Sequence, residues 1–274
     1  MIITLNNGVR MPQLGLGVWR VEDGAQVEDA IKTALEVGYR HIDTAAVYKN
    51  ETGVGKAMKE SGVAREDIFL TTKVWNADQG YEATLKAFDD SLNKLGTDYV
   101  DLYLVHWPTP ERDLYIETYK ALEKLAEEGR VRAIGVSNFH IHHLERLMEH
   151  CSIKPTVNQV ECHPRLAQND LRQFCNQHNI VLEAWSPLMQ GGEILEDRAV
   201  MAIAANHGKT GAQVVIRWHL QKGNIVIPKS VTASRIRENF NVFDFELTAD
   251  EMLIIDQLNQ DKRVGPDPED FNIV

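Results

Sequence analysis

The sequence predicts an α/β protein, a single closed (β/α)8 TIM barrel over residues 1–274 with a short β-hairpin ahead of it. Three observations carry this. Short apolar runs alternate eight times with segments of helical period. Glycines punctuate the helix ends, as at Gly38, Gly62, Gly96 and Gly129. No Pro/Ser/Gly-rich linker divides the 274 residues, a length that suits one large barrel.

In order, Ile2–Leu5 and Val9–Met11 flank Asn6-Asn7-Gly8, where Asn-Gly favours the positive φ angles of a tight hairpin turn. A strand near Leu14–Gly17, a helix over Ala25–Glu36 and the strand Tyr39–Asp43 begin the alternation. Helix Glu51–Glu60 leads to strand Ile68–Thr72, helix Tyr81–Leu95 to strand Val100–His106, and helix Tyr115–Glu128 to strand Val131–Val136. Helix Ile141–Glu149, strand Thr156–Val160, helix Asp170–His178 and strand Val181–Trp185 follow. The helical stretch Arg198–His207 with Thr210–Gln221 leads to the last strand, Asn224–Ile227.

Composition excludes several classes of function. A formal net charge of -11 repels polyanions, and no long basic run offers a nucleic-acid footprint. No apolar run approaches the roughly 20 residues of a membrane helix, and the start lacks the layout of a secretory signal. A cytoplasmic protein is expected. The three cysteines Cys151, Cys162 and Cys175 form no C-x-x-C pair and read as reduced structural thiols.

In a barrel of this kind the loops after the strands converge on one mouth. Asp43, Lys73 and His106 fall at that end of consecutive strands, and Tyr48 sits in the connection after Asp43. Their chemistry is complementary. An ammonium such as Lys73 stabilises a phenolate, so the spacing predicts that it lowers the pKa of Tyr48. Asp43 would hold Lys73, and His106 would orient a substrate oxygen beside the phenol. Such a set suits proton exchange with a carbonyl/alcohol pair. Two phosphate-loop motifs fail: Gly15–Arg20 lacks the third glycine of G-x-G-x-x-G, and Gly53–Ala57 lacks the leading glycine and the Ser/Thr of a P-loop. His140, His142 and His143, and the pair Cys162-His163, lack tetrahedral spacing, so no metal is expected.

These residues carry a resemblance. Met-Pro-Gln-Leu-Gly-Leu-Gly-Val-Trp from Met11, Gly-Tyr-Arg-His-Ile-Asp-Thr-Ala from Gly38, Asp-Leu-Tyr-Leu-Val-His-Trp-Pro from Asp101, Ile-Gly-Val-Ser-Asn-Phe from Ile134 and Ile-Pro-Lys-Ser-Val from Ile227 make the chain resemble the aldo-keto reductases from end to end. Among them it is most similar to the bacterial 2,5-diketo-D-gluconate reductases. The resemblance implies NADPH as cofactor and Asp43, Tyr48, Lys73 and His106 as the family tetrad, with Tyr48 as proton donor. It implies Ser137, Asn138 and Gln159 around the nicotinamide carboxamide, and Trp185 stacked on the ring where many relatives have tyrosine. Ser186, Leu188 and Gln190 fall on the following cofactor loop. Lys229, Ser230, Val231 and Arg235 match the adenosine phosphate site, and Glu238 and Asn239 the adenine contacts. The cations Lys229 and Arg235 favour a 2′-phosphate, hence NADPH over NADH.

The same resemblance lines the substrate pocket with Trp19, Val47, Trp75, His106 and Trp107. The tail ends soon after Gly265-Pro266-Asp267-Pro268, so an open pocket for small, polar carbonyls is expected, in a monomer. Keto sugars like diketogluconate and small dicarbonyls such as methylglyoxal are the candidate substrates. Two other readings stay open: a metal-dependent barrel hydrolase or isomerase using His41, Asp43, Glu161 and His163, and an NADPH-binding regulatory subunit without turnover. His41, on the same strand face as Asp43, has no assigned role.

Overall fold

The computed structural model describes residues Met1–Val274. The chain opens with the expected hairpin, β1 (Ile2–Thr4) antiparallel to β2 (Arg10–Pro12). Its turn differs from the two-residue Asn-Gly type, because only Gly8 takes positive φ, at 85°. Gly8 N–H donates to the Leu5 carbonyl and Leu5 N–H to that of Val9, each at 2.9 Å, which closes a three-residue loop with a bulge. The Asn7 side chain decides this by accepting from Val9 N–H at 3.1 Å.

Eight parallel strands follow: β3 (Leu16–Gly17), β4 (His41–Asp43), β5 (Phe69–Val74), β6 (Val100–Val105), β7 (Val131–Ser137), β8 (Val157–Glu161), β9 (Val181–Trp185) and β10 (Ile225–Val226), paired in sequence order. The sheet closes on itself through parallel bridges Leu14–Val226 and Gly17–Lys229. Gly15 N–H donates to Val226 (2.9 Å) and Val226 N–H to Gln13 (2.8 Å), so neither edge is left unpaired. This is the predicted (β/α)8 barrel. Its outer helices are α1 (Ala25–Val37), α2 (Glu51–Glu60), α3 (Tyr81–Leu95), α4 (Tyr115–Glu127), α5 (Ile141–His150), α6 (Asn169–Gln177), α7 (Arg198–His207) and α8 (Gly211–Gln221). Each lies within a residue or so of the range that its apolar period predicts.

Two helices after the last strand, α9 (Ala233–Phe240) and α10 (Ala249–Asp256), extend beyond the predicted alternation. α9 packs on α1 where the barrel closes, with Ile236 joining the main core, but it is only eight residues long, and α10 buries Ile255 alone. A capping box at Thr248 and Glu251 starts α10 instead.

The hairpin plugs one end of the barrel, where Leu5 and Met11 pack on Phe69, Leu102, Leu104, Val157 and Ile225. The larger apolar layer lies between strands and helices. Alternation along each strand leaves the polar inward positions at the other end, with Asp43 level with Thr71 and Ser137, Gln159 and Glu183 in one register. That end holds the candidate site. No helix is long and apolar enough to cross a membrane.

Candidate active site

Lys73 lies inside β5 rather than at its end, and the barrel buries it completely. Its Nζ donates to both oxygens of Asp43, at 2.7 and 2.9 Å, and to the Thr44 carbonyl at 2.9 Å. The same nitrogen sits 5.2 Å from the centroid of the Tyr48 ring. His106, which follows β6, presents its ring edge-on 5.7 Å from Tyr48, with Trp75 5.3 Å away. Three strands and one loop thus bring Asp43, Tyr48, Lys73 and His106 into a single cluster.

The electrostatics revise one expectation. Burial pushes the Tyr48 hydroxyl up to about 12, and the attraction of Lys73 only partly offsets it. The expected lowering is therefore outweighed by desolvation, which the sequence does not display. Burial also lowers the Lys73 ammonium, but contact with Asp43 prevails and the net shift is upward, so Lys73 stays charged. His106 is held well below the ordinary imidazole range by burial and by Lys73, hence neutral. Its Nδ1 has no partner within the protein.

A second cluster adjoins the first. Gln159 Nε2 donates to Asp43 at 2.7 Å and to Glu183 at 3.0 Å. Ser137 Oγ donates to the Gln159 carbonyl, and Asn138, at φ 64°, donates to the His106 carbonyl at 3.0 Å. Trp185 Nε1–H donates to Asn138 Oδ1 at 2.8 Å. Below them His41 Nε2 lies 3.6 Å from Glu183 and 3.3 Å from Thr71 Oγ1. Sequence reading left His41 without a role and missed Glu183, whose signal was a lone acid at an inward position of an otherwise apolar strand.

The turn after β9 carries Ser186, Leu188 and Gln190, with Ser186, Met189 and Gln190 in the left-handed region at 48°, 49° and 59°. Across the mouth, Lys229 and Ser230 follow β10 and Val231 leads into α9, with Arg235 in the helix's first turn. Lys229, Val231 and Arg235 are exposed, Ser230 and Asn239 are buried, and neither cation has an acidic partner within 4.0 Å. Two cations without acidic partners at a helix N-terminus suit an anion even in an acidic protein. Glu238 is engaged by the scaffold, accepting from Thr210 Oγ1 at 2.8 Å.

The aromatic wall gathers Trp75 and Trp107 beside His106, while Val47 is half-buried and Trp19 lies at the rim under Arg20, 4.1 Å from its guanidinium. The open pocket expected from the short tail is corrected here. Phe271 packs on Trp107 at 4.1 Å and on Trp75 at 6.4 Å, and Asn76 Nδ2 donates to the Ile273 carbonyl at 2.8 Å. Phe271 was missed, its signal being a lone aromatic in an acidic tail. Upstream, Glu161 accepts from the amides of Val264 and Gly265, and His163 Nε2 lies 2.9 Å from it. The four proposed metal ligands therefore separate, with Asp43 held by Lys73, and Glu161 and His163 anchoring the tail.

The histidine run of α5 meets the same tail: His140 contacts Asp267 (2.8 Å), and His142 and His143 face Glu269 at 3.1 and 3.7 Å. Donor atoms of His142, His143 and Glu269 lie within 4.8 Å of one another. His143 Nδ1, however, accepts from the His140 amide at 3.2 Å, which leaves the ring proton on Nε2, facing Glu269. A protonated ring nitrogen donates a hydrogen bond and does not ligate, so the cluster acts as a latch for the tail. The three cysteines are free thiols.

Comparison with known proteins agrees with this architecture. The family model described as "Aldo/keto reductase family" matches residues 13–260. A 9,11-endoperoxide prostaglandin H2 reductase of Trypanosoma cruzi is 58% identical over 98% of this chain and 95% of its own. A glyoxal reductase of Bacillus subtilis is 56% identical over 98% and 96%. A crystal structure of a Gox0644 variant in complex with NADPH superimposes with a TM-score of 0.93 at 48% identity, covering 99% of this chain and 98% of that one. A closed parallel barrel, a Lys–Asp pair beside a tyrosine and a histidine, and a family match over almost the whole length leave one classification: the chain belongs to the aldo/keto reductase family.

Proposed function

We propose that this protein is an NADPH-dependent reductase of aldehydes and ketones, a single cytoplasmic barrel domain, with Tyr48 as proton donor. The observation that carries the reading is Lys73, buried and charged, set between the Asp43 carboxylate and the Tyr48 ring beside a neutral His106. A phenol loses its proton more readily to a substrate oxygen when an ammonium is in place to receive the negative charge. Asp43 keeps that ammonium charged in a buried layer, and the His106 ring offers an N–H to the same oxygen. Bound NADPH supplies the hydride.

The residues present fit that cofactor. Lys229 and Arg235 stand free of acidic partners and suit a 2′-phosphate, with Ser230 and Val231 at the same helix start. The donors of Ser137, Asn138 and Gln159 are taken up within the protein, so these side chains offer hydroxyl and amide oxygens as acceptors for a carboxamide N–H. Trp185, with Ser186, Leu188 and Gln190 after it, forms the adjoining wall, and Glu238 and Asn239 lie farther along α9. Relatives named glyoxal and methylglyoxal reductase point to small dicarbonyls, and diketogluconate-like keto sugars are a second candidate. Trp19, Val47, Trp75 and Trp107 would line their pocket.

The test is Tyr48→Phe. It is expected to reduce kcat for methylglyoxal by about 10²–10⁴-fold, the range for a lost general acid, with the Kd for NADPH unchanged. Turnover close to wild type would sink the assignment of Tyr48. NADPH binding by wild type with no activity on a panel of dicarbonyls, keto sugars and aromatic aldehydes would favour a regulatory subunit instead.

A further inference from the structure

Glu183 is an acid in the interior of the barrel that the chemistry above does not use. It is fully buried, and its Oε1 has no hydrogen-bond partner. The titratable groups around it are His41, Asp43, Lys73 and Tyr48, but no cation touches it: Lys73 is taken up by Asp43, and His41 is neutral. Burial and the nearby Asp43 charge push its carboxyl up to about 8, so it carries its proton at neutral pH.

Gln159 lies between the two acids. An amide nitrogen has two N–H donors, and here Asp43 accepts at 2.7 Å and Glu183 at 3.0 Å. Asp43 forbids turning the amide over, which would set its oxygen against a carboxylate, and Glu183 takes the second N–H, so the two acids together fix the orientation. The one group of Gln159 left uncommitted is Oε1, an acceptor, which matches the N–H of a carboxamide.

We propose that Glu183 is a positioning residue that, with Asp43, locks the Gln159 side chain so that its Oε1 accepts from the nicotinamide carboxamide. This rests on the reading of the site given above. With an apolar residue at position 183 one buried N–H would be stranded, and the amide would rotate to satisfy it at the expense of the cofactor contact.

The experiment titrates NADPH, and separately 2′,5′-ADP, into wild type, Glu183→Gln and Glu183→Met, following tryptophan fluorescence. The fragment 2′,5′-ADP carries the 2′-phosphate but no nicotinamide, so it reports on the distant anion site alone. Glu183→Met is expected to weaken NADPH about tenfold, the scale of one misdirected buried amide, and to leave 2′,5′-ADP unchanged. Glu183→Gln keeps a carbonyl at the same place and is expected to bind both ligands within about twofold of wild type. Glu183→Thr, too short to reach Gln159, gives the same tenfold loss if the Met variant does not fold. Unchanged NADPH affinity in a folded Met or Thr variant overturns the proposal, as does a tenfold loss in Glu183→Gln. If wild type binds no NADPH, the functional reading fails instead.

Discussion

A phenol beside an ammonium in a buried layer feels two opposed fields, and in Tyr48 desolvation wins. Spacing in the sequence brings Tyr48 and Lys73 together but carries no measure of how much water the fold removes. The same imbalance governs His41 and Glu183, which gives a stability signature. Glu183 has its folded pKa raised from 4.5 to about 8, so its contribution is full below the unfolded value and is lost as pH rises through about 8. His41 has its folded pKa lowered from 6.5 to about 3, so its contribution is present above the unfolded value and is lost as pH falls through about 3. Glu183→Gln cannot ionise. Its Tm is therefore expected to gain on wild type as pH rises from about 5 to 8, measured by circular dichroism. Parallel Tm curves would mean that Glu183 does not hold its proton in the folded protein.

The stretch Gly53–Ala57 explains why one element-level motif misleads. Its glycines resemble a phosphate loop, yet they lie on α2 and serve packing: a Cβ on Gly55 would sit 2.1 Å from the Leu95 carbonyl oxygen at the end of α3. Backbone cannot yield as a flexible side chain can. Gly55→Ala is expected to destabilise the fold by about 1–3 kcal/mol, read as a lower midpoint in urea, because α2 and α3 must separate. A midpoint equal to wild type would show that the helices can part freely. The helices α1 to α8 were legible because one face of each is buried in an apolar period, and the strands because burial on both faces makes them short apolar runs. The additions α9 and α10 were not, since contacts with α1 and α8 of the finished barrel hold α9 and a capping box starts α10.

At the scale of the whole molecule the two chain ends close the two ends of the barrel, and only one of these closures was readable. The hairpin is local, and its turn residues announce it. The tail is not: its path depends on Glu161, on the histidines of α5 and on Asn76, residues 103 to 197 positions away and brought together only by the closed sheet. Without those partners an acidic segment from Asp267 to Val274 reads as a solvated end. In the folded protein it lays Phe271 against Trp107 and Trp75, and thereby narrows the pocket that His106 faces. Phe271→Ala would remove an aromatic wall from the substrate side while leaving Lys229, Arg235, Gln159 and Asn138 untouched. The KM for aromatic aldehydes is expected to rise about tenfold, the worth of roughly one lost aromatic contact, with the Kd for NADPH unchanged. The smallest dicarbonyls, which present no ring for Phe271 to pack on, should show a smaller rise. A Kd for NADPH that shifts in step with KM would place the tail on the cofactor side of the mouth, and equal KM values for wild type and variant would leave Phe271 with a packing role only.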